Sequence, residues 1–348
     1  MRRYIGFIAL TALICVVASQ ALVRGQDKVE RRDKKSGSVV VAGKIVEENA
    51  GGVRVKTQGL GKEETIPSNE IIRMTYADFP IGVSTALTRM NADETARNYA
   101  ALLKGYEGVQ AMPELKTAGP TARRYIDYRV ATLRAATAEG DEQTKAAVKT
   151  LSDFIAANPE SWEYPHAARQ LGRLLADTGD YPGAAKTFEA LEKAPGVPAE
   201  FKDEAAAALI DVAFQSDDLK LGKQRVERVL ADPKASAGLK ERAAVYQLGL
   251  AAAEPGADVT AAVKKIEEAI AKAADPSLKA LGYNVLGDVY LAKKQKRDAM
   301  WSYLWVDVVY NQDRGEQLKA MTRLMKIFDE EGDKEKAQLY KEKLARSR

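Results

Sequence analysis

The stretch of sequence that decides the fold is Tyr283-Asn284-Val285-Leu286-Gly287-Asp288-Val289-Tyr290. Two later residues complete its pattern: the small Ala299 stands at the twelfth position after Gly287, and the aromatic Tyr303 stands at the sixteenth. This arrangement of a glycine, a small residue and an aromatic residue recurs along the chain, and that self-similarity decides the fold.

A second strong copy of the pattern lies upstream, where Ala184 and Phe188 follow Gly172 at the same two distances. Four weaker copies fall in register with these two. Each copy has a small residue at the same place on its second helix, namely Ala147, Ala184, Gly222, Ala262, Ala299 and Ala337. These positions recur at nearly constant intervals of about 37–40 residues, and such a period predicts an array of similar helical pairs.

The spacing resembles the tetratricopeptide repeat (TPR), in which large-x-x-Leu-Gly-x-x-Tyr on a first helix precedes an alanine and an aromatic residue on a second. The resemblance implies that the two helices cross closely at the glycine and that large side chains fill the space beside the crossing. The standard repeat has about 34 residues, so the turns here are longer. The resemblance covers about 230 of the 348 residues and implies a mainly α fold, a TPR-like α-α solenoid of about six to seven helical pairs over residues 81–348. We expect residues 81–118 to form an irregular first pair that caps the array. Repeats of this family bind proteins or peptides and carry no chemistry of their own.

Residues 27–77 have the pattern of short strands. Val53, Val55 and Thr57 alternate with polar residues, which is typical of a strand with one buried face. Five such strands resemble a small SH3-like or Sm-like β-barrel, which we expect to serve as a packing or docking module. Sm-like folds also include RNA binders, but this segment has no aromatic residue before Tyr76 on which a base would stack. The periodicity becomes helical at residues 77–82, which predicts a domain boundary there.

The N-terminus has the three-part pattern of an export signal. Met1-Arg2-Arg3 is a short positive region, Ile5–Ala18 is apolar, and small residues offer cleavage sites after Ala21 and Gly25. We therefore expect residues 1–25 to be a bacterial signal peptide that directs the protein to the periplasm or cell envelope.

The N-terminal sequence has two other interpretations. An uncleaved inner-membrane anchor over residues 4–23 would have about the length that spans a bilayer. A lipid on Cys15 is disfavoured, because Ile14 stands where a lipoprotein signal has a small residue.

Composition excludes several classes of function. The chain has 53 Lys and Arg against 49 Asp and Glu, and residues 1–25 carry three of the arginines and no acid, so the remainder has a net charge of +1. That balance lacks the positive surface that nucleic-acid binding needs. The single His, His166, and the single Cys, Cys15, cannot build most metal or nucleophile sites. No phosphate-binding loop stands in the sequence either, so we expect no catalytic residue, no metal and no cofactor.

The repeat register predicts candidate partner-binding residues, because first-helix positions line the concave surface of such arrays. The candidates are Arg169, Arg173, Tyr246, Asn284 and Asp288. The same counting also places on this face His166, Asp177, Lys319, Thr322 and Lys326. Arg169 and Arg173 lie four residues apart on one helix face and are suited to hold a carboxylate of a partner. The alternative is a solvated face with charges at helical spacing.

Two aromatic segments are interpreted as packing rather than binding. Trp301, Leu304, Trp305 and Val308 follow the spacing of a buried helical stripe. Trp162 and Tyr164, just before a predicted helix, are expected to join neighbouring repeats.

These patterns together predict an exported, non-enzymatic scaffold that binds a protein or peptide partner through its repeats. Membrane association is expected only if the N-terminal segment stays uncleaved. Two alternatives remain open: a self-associating structural protein of the envelope, and an accessory domain of a cell-wall enzyme. The sequence identifies neither the partner nor the oligomeric state.

Overall fold

The computed structural model describes residues 25–33, 36–57, 61–254 and 256–347. The predicted signal peptide lies outside these residues except for Gly25, and the alternative anchor over residues 4–23 lies wholly outside them. In the described part, none of the helices has both the length and the apolar character needed to cross a bilayer. The chain divides into two compact units. The first runs to Leu133 and includes Glu160–Glu163, and the second comprises Arg134–Pro159 and Tyr164–Arg348.

The first unit begins with a five-stranded antiparallel sheet. Its strands are β1 (Asp27–Asp33), β2 (Gly37–Asn49), β3 (Gly52–Thr57), β4 (Glu63–Pro67) and β5 (Ile71–Thr75), in the spatial order β4-β3-β2-β1-β5. Gly52 opens β3 with a φ of 145°, and a side chain there would meet the carbonyl of Ile66 on β4. A 3-10 turn at Ser68–Glu70 joins β4 to β5.

The five predicted strands are present, but the predicted barrel is wrong. Within the described strands, β4 and β5 are the two edges of an open sheet and do not pair with each other. Helices cover the inner face of the sheet instead, because Val29, Val53 and Ile66 of the strands share one buried cluster with Leu102 and Tyr125. A sheet that buries one face under helices does not need to close on itself.

Four helices complete the first unit. They are α1 (Ile81–Arg89), α2 (Asn91–Ala96), α3 (Tyr99–Gln110) and α4 (Pro120–Thr137), whose residues after Leu133 belong to the second unit. The change from strands to helices falls at the predicted place, but packing continues across it. Residues 81–118 therefore do not cap a helical array: their apolar side chains belong to the same core as the sheet.

Trp162 also lies in the first unit and does not join neighbouring repeats as expected. Its ring stacks on Tyr125 with centroids 6.2 Å apart, and its indole N–H donates to the hydroxyl of Tyr76 at 3.5 Å. It is among the largest fully buried side chains of the described residues. The segment Glu160–Glu163 is thereby held in the first unit.

A buried ion network holds the same segment. Arg124 of α4 contacts Glu48 of β2, and its Nε lies 3.1 Å from both carboxylate oxygens of Glu163. Burial raises the pKa of Glu163 to about 7, because the loss of hydration outweighs the attraction of Arg124.

The second unit consists of helices. They are α5 (Gly140–Ala157), α6 (Tyr164–Asp177), α7 (Tyr181–Lys193), α8 (Ala199–Gln215), α9 (Leu219–Ala231), α10 (Ala237–Ala253), α11 (Val259–Lys272), α12 (Pro276–Ala292), α13 (Lys296–Val308), α14 (Arg314–Glu330) and α15 (Lys334–Ser347). The even-numbered helices from α6 to α14 are first helices. Each contacts the helix that follows it, and each from α6 to α12 also contacts the next first helix. Five pairs thus follow α5 in the described part of this unit. That is fewer than the six to seven expected, because α4, which precedes α5, lies mostly in the first unit and α1 and α3 share the core of the sheet.

The second helices begin in a regular way. Asp180, Asp218 and Asp258 stand immediately before α7, α9 and α11, and each carboxylate accepts a backbone N–H three residues later at 3.0 Å. An aspartate here satisfies an amide that the helix itself leaves without an acceptor. The six small residues that mark the repeat fall one each on α5, α7, α9, α11, α13 and α15.

The close contact at the glycine that the resemblance implies is present at both strong copies. A Cβ atom added to Gly172 would lie 2.6 Å from Cζ of Phe188, and one added to Gly287 would lie 2.5 Å from Cε1 of Tyr303. In each pair the aromatic ring of the second helix occupies the space that the glycine leaves open.

The aromatic stripe on α13 differs from the expectation. Trp301, Trp305 and Val308 are exposed, whereas Leu304 is half-buried. The stripe has the spacing of a buried face, but no helix of the described residues covers all of it.

We predict that Gly287→Ala destabilises the second unit by about 1–3 kcal/mol, because the new methyl group overpacks against Tyr303. Gly238→Ala is the matched control: Gly238 also lies in a helix, and a Cβ there meets no atom within 4 Å. The control should be neutral or stabilising by up to about 1 kcal/mol through helix propensity. Thermal unfolding measures both changes, and equal melting temperatures for the two variants would contradict the prediction.

We also predict that Glu163 makes the free energy of unfolding fall as pH rises from 4.5 to about 7. In this window the folded carboxyl keeps its proton while the unfolded one has lost it, so the folded state binds more protons. Glu163→Gln removes this titration. The free energy of unfolding of the variant should therefore fall less across the window than that of the wild type, by on the order of 1–3 kcal/mol. Denaturant unfolding at a series of pH values measures the difference. Parallel curves for the two proteins would show that Glu163 is ionised throughout.

Candidate functional site

A cavity of about 210 Å³ lies in the second unit, and all five first helices from α6 to α14 contribute to its wall. Helices α12 and α14 supply most of the lining. The charged residues of the lining are Asp177, Asp217, Asp288, Glu316, Lys319, Arg323 and Lys326. Its aromatic residues are Tyr181, Phe214, Tyr246 and Tyr303. The cavity is therefore a polar site of mixed charge with aromatic walls.

Three of the five candidate residues meet at this cavity. Tyr246 of α10, together with Asn284 and Asp288 of α12, lines it. Four further positions that the same register places on this face line it as well, namely Asp177, Lys319, Thr322 and Lys326. Counting along the repeat thus identified residues on four different helices that the fold brings together.

The two candidate arginines do not line this cavity. Arg169 and Arg173 lie on α6, and both reach Glu204 of α8, at 3.0 and 3.8 Å. The Arg169 guanidinium also lies over the ring of Phe201, 5.3 Å from its centroid. These arginines already have a carboxylate within the protein, and their ion pairs connect one first helix to the next.

A network of buried charges lies beside the cavity. Arg242 of α10 contacts Asp211 of α8 at 2.8 Å and Glu316 of α14 at 2.5 Å. The hydroxyl of Tyr246 donates to Asp211 at 2.6 Å, and Nζ of Lys319 donates to that hydroxyl at 3.0 Å and to Glu316 at 3.1 Å. Two carboxylates and two cations thus compensate each other, which burial requires.

The protonation states of this network follow from its geometry. Burial alone would raise the pKa of Asp211, but Arg242 and Lys319 outweigh it and hold that pKa below its ordinary value. Burial would lower the pKa of Lys319, but the carboxylates of Asp211 and Glu316 raise it well above its ordinary range. Burial and the nearby Asp211 raise the pKa of Tyr246 well above its ordinary value. At neutral pH, Asp211 and Lys319 are therefore charged and Tyr246 is neutral.

Asn284 is held in a defined orientation. Its Nδ2 donates to the backbone carbonyl of Glu316 at 3.0 Å and to Oε2 of the same residue at 2.8 Å. In the opposite orientation, Oδ1 of Asn284 would face two acceptor oxygens of Glu316 and could not bond to either. The NH₂ side of the amide therefore faces Glu316. The Oδ1 atom of Asn284 is buried and has no hydrogen-bond donor among the described residues.

Charged side chains at the cavity wall connect neighbouring helices. Asp288 accepts a hydrogen bond from the hydroxyl of Tyr303 at 2.7 Å and pairs with Nε of Arg323 of α14 at 3.1 Å. Lys326, one turn further along α14, is exposed and has no ion-pair partner among the described residues. Lys326 is thus a cation of the wall that is available to a ligand.

Sequence reasoning missed Asp211, Arg242 and Glu316. A signal was present for the first of these, because Asp211 is the single acid within the apolar run from Ala205 to Phe214. An isolated charge on the buried face of a helix needs a partner. The partners could not be identified from spacing, since Arg242 and Glu316 lie far along the chain, on α10 and α14.

No family model matches this chain, and no curated protein is significantly similar to it.

We predict that Arg242→Met destabilises the second unit by about 3 kcal/mol, because Asp211 and Glu316 then stay buried without their guanidinium partner. Adding Asp211→Asn should recover part of this loss by removing one of the two carboxylates. The control is Arg173→Ala, whose side chain is 64% exposed and whose ion pair contributes only about 0–1 kcal/mol. Urea unfolding measures all three proteins, and a loss for Arg242→Met no larger than the control's would contradict the prediction.

Proposed function

We propose that this protein is an exported, non-enzymatic scaffold that captures a segment of a partner protein or peptide in the cavity of its second unit. The observation that carries the proposal is the convergence of Tyr246, Asn284 and Asp288, from two first helices of the repeat, on one cavity. A binding surface made from equivalent positions of successive repeats is the way that helical-repeat proteins present a site.

The proposal takes the second unit to be a TPR-like solenoid. Two observations support this: the repeat glycine meets the aromatic residue of the following helix at both Gly172 and Gly287, and each first helix contacts the next one. Both are what a stack of equivalent pairs requires, and repeats of this type act in binding.

The electrostatics of the cavity favour binding over catalysis. A general acid or base works best with a pKa near the working pH. Here the pKa of Asp211 is lowered, whereas those of Lys319 and Tyr246 are raised well above their ordinary values. Each group is thereby moved away from the neutral range, and each is engaged with another group of the network.

The size of the cavity favours part of a polypeptide over a free small molecule. Sites for small molecules and cofactors commonly have volumes of about 300–1,000 Å³, whereas this cavity has about 210 Å³. That space fits one or two side chains of an extended segment. Lys326 and the aromatic walls offer such a segment a charge and apolar surface.

The proposed location rests on the N-terminal sequence. The pattern of residues 1–25 supports export to the periplasm or cell envelope, and the near-neutral remainder supports a protein rather than a nucleic acid as partner.

We expect that filling the cavity abolishes partner capture. Thr322→Trp places a large ring in the cavity, and Lys326→Glu reverses its exposed cation; either should reduce recovery of the partner from an envelope extract at least about tenfold. The matched control is Lys264→Glu on α11, where an exposed lysine lies outside the cavity. This variant should recover as much partner as the wild type does.

Equal recovery by the wild type and both cavity variants would overturn the proposal. Sedimentation of the purified protein tests the alternative of self-association. If the protein forms a concentration-dependent oligomer that Thr322→Trp disrupts, the occupant of the cavity is a second copy of this chain rather than a different protein.

A further inference from the structure

A second surface of the second unit, separate from the cavity, has the features of a binding groove. It has a volume of about 440 Å³ and lies between α11, α12 and α13. Trp301 and Trp305 line it and are 55% and 45% exposed. Large aromatic residues exposed side by side are unusual on a protein surface and mark interaction sites.

The aromatic rings of the groove form an ordered platform. Tyr283 of α12 stacks on Trp305 of α13 with centroids 5.7 Å apart and an interplanar angle of 15°. On Tyr310 it stacks at 5.5 Å and 19°. Because the rings fix one another, a ligand meets a preformed apolar surface and little side-chain entropy is lost on binding.

The groove offers hydrogen-bond donors that the protein does not use. The indole N–H groups of Trp301 and Trp305 have no acceptor among the described residues, and an indole can only donate. The hydroxyls of Tyr283, Tyr290 and Tyr310 likewise have no hydrogen-bond partner within the described part of the chain. The matching ligand therefore combines apolar rings or chains with acceptors and needs few donors of its own.

Two carboxylates border the same groove. Glu267 of α11 and Asp298 of α13 line it, and neither side chain has a cationic partner among the described residues. Among the described residues of the lining, Lys279 is the one cation, and its Nζ lies 5.8 Å from the centroid of Tyr310. The unused negative charge favours a ligand that carries a basic group.

We propose that this groove binds a proline-rich segment that is extended as a polyproline II helix and carries a basic residue. Proline has a compact apolar ring that packs on aromatic faces, and its carbonyl accepts while its nitrogen carries no hydrogen. A polyproline II helix leaves its carbonyls free of internal hydrogen bonds, and it is already ordered before binding. Its carbonyls meet the indole and phenol donors, and its basic residue meets Glu267 and Asp298.

Calorimetric titration of the whole protein tests this proposal. The probe is a short oligoproline peptide with an arginine at each end, and the comparison peptide has alanine in place of every proline. We expect the proline peptide to bind at least about tenfold more tightly than the alanine peptide, because only the former is already extended.

Variants locate the binding. Trp301→Ala should weaken binding of the proline peptide at least about tenfold. Tyr99→Ala, which removes an exposed aromatic residue of α3 in the first unit, should leave the affinity for the peptide unchanged. Glu267→Gln combined with Asp298→Asn should lower the affinity for the arginine-flanked peptide about fivefold. The affinity for a serine-flanked oligoproline should stay the same. Thr322→Trp should have no effect, which separates this groove from the cavity.

Three results would overturn the proposal. The first is no binding of the proline peptide at about 1 mM, or equal binding of the alanine peptide. The second is Trp301-dependent binding of an N-acetylglucosamine oligomer without binding of the peptide, which would make the groove a glycan site. The third is a dimer in sedimentation that Trp301→Ala dissociates, which would make a second copy of this chain the occupant.

Discussion

The architecture of the second unit depends on the contact between a glycine and an aromatic ring at the crossing of two helices. At Gly287 the ring of Tyr303 lies where a side chain would otherwise stand. The same tyrosine donates through its hydroxyl to Asp288, and Asp288 pairs with Arg323 of the next first helix. The contact between Gly287 and Tyr303 therefore fixes the crossing of α12 and α13. Through Asp288 it also orients Arg323, which α14 contributes to the cavity wall.

The two surfaces of this unit differ in how their polar groups are used. Around the cavity, Asp211, Arg242, Glu316 and Lys319 compensate one another, so the charges act mainly to hold the first helices in one arrangement. Removing one member of such a network leaves a buried charge without its partner, which strongly destabilises the fold. In the groove, the indole groups of Trp301 and Trp305 are unused, so their hydrogen-bonding capacity is available to another molecule.

The sequence predicted those features that depend on local spacing. The regular distances from Gly287 to the small and aromatic residues after it located the helix crossing, and the same register brought Tyr246 and Asn284 to one cavity. Features that depend on distant partners were missed. Alternation in residues 53–57 indicates one buried face but does not say whether another strand or a helix covers it. In the same way, the spacing of Trp301 and Trp305 indicates an apolar face and does not reveal that it is left exposed. Trp162 was misplaced because its partner Tyr76 stands 86 residues away.

The return of Glu160–Glu163 to the first unit has a consequence for the order in which the chain is made. A growing chain that ends before Trp162 already contains the sheet and α1–α4, yet it lacks the aromatic side chain that stacks on Tyr125. It also lacks Glu163, one of the two carboxylates that face Arg124. The first unit therefore cannot complete its interior until the chain extends beyond α5, a helix of the second unit, to Glu163. Until that segment is present, the part of the first unit's core that Trp162 covers, including the ring of Tyr125, stays exposed.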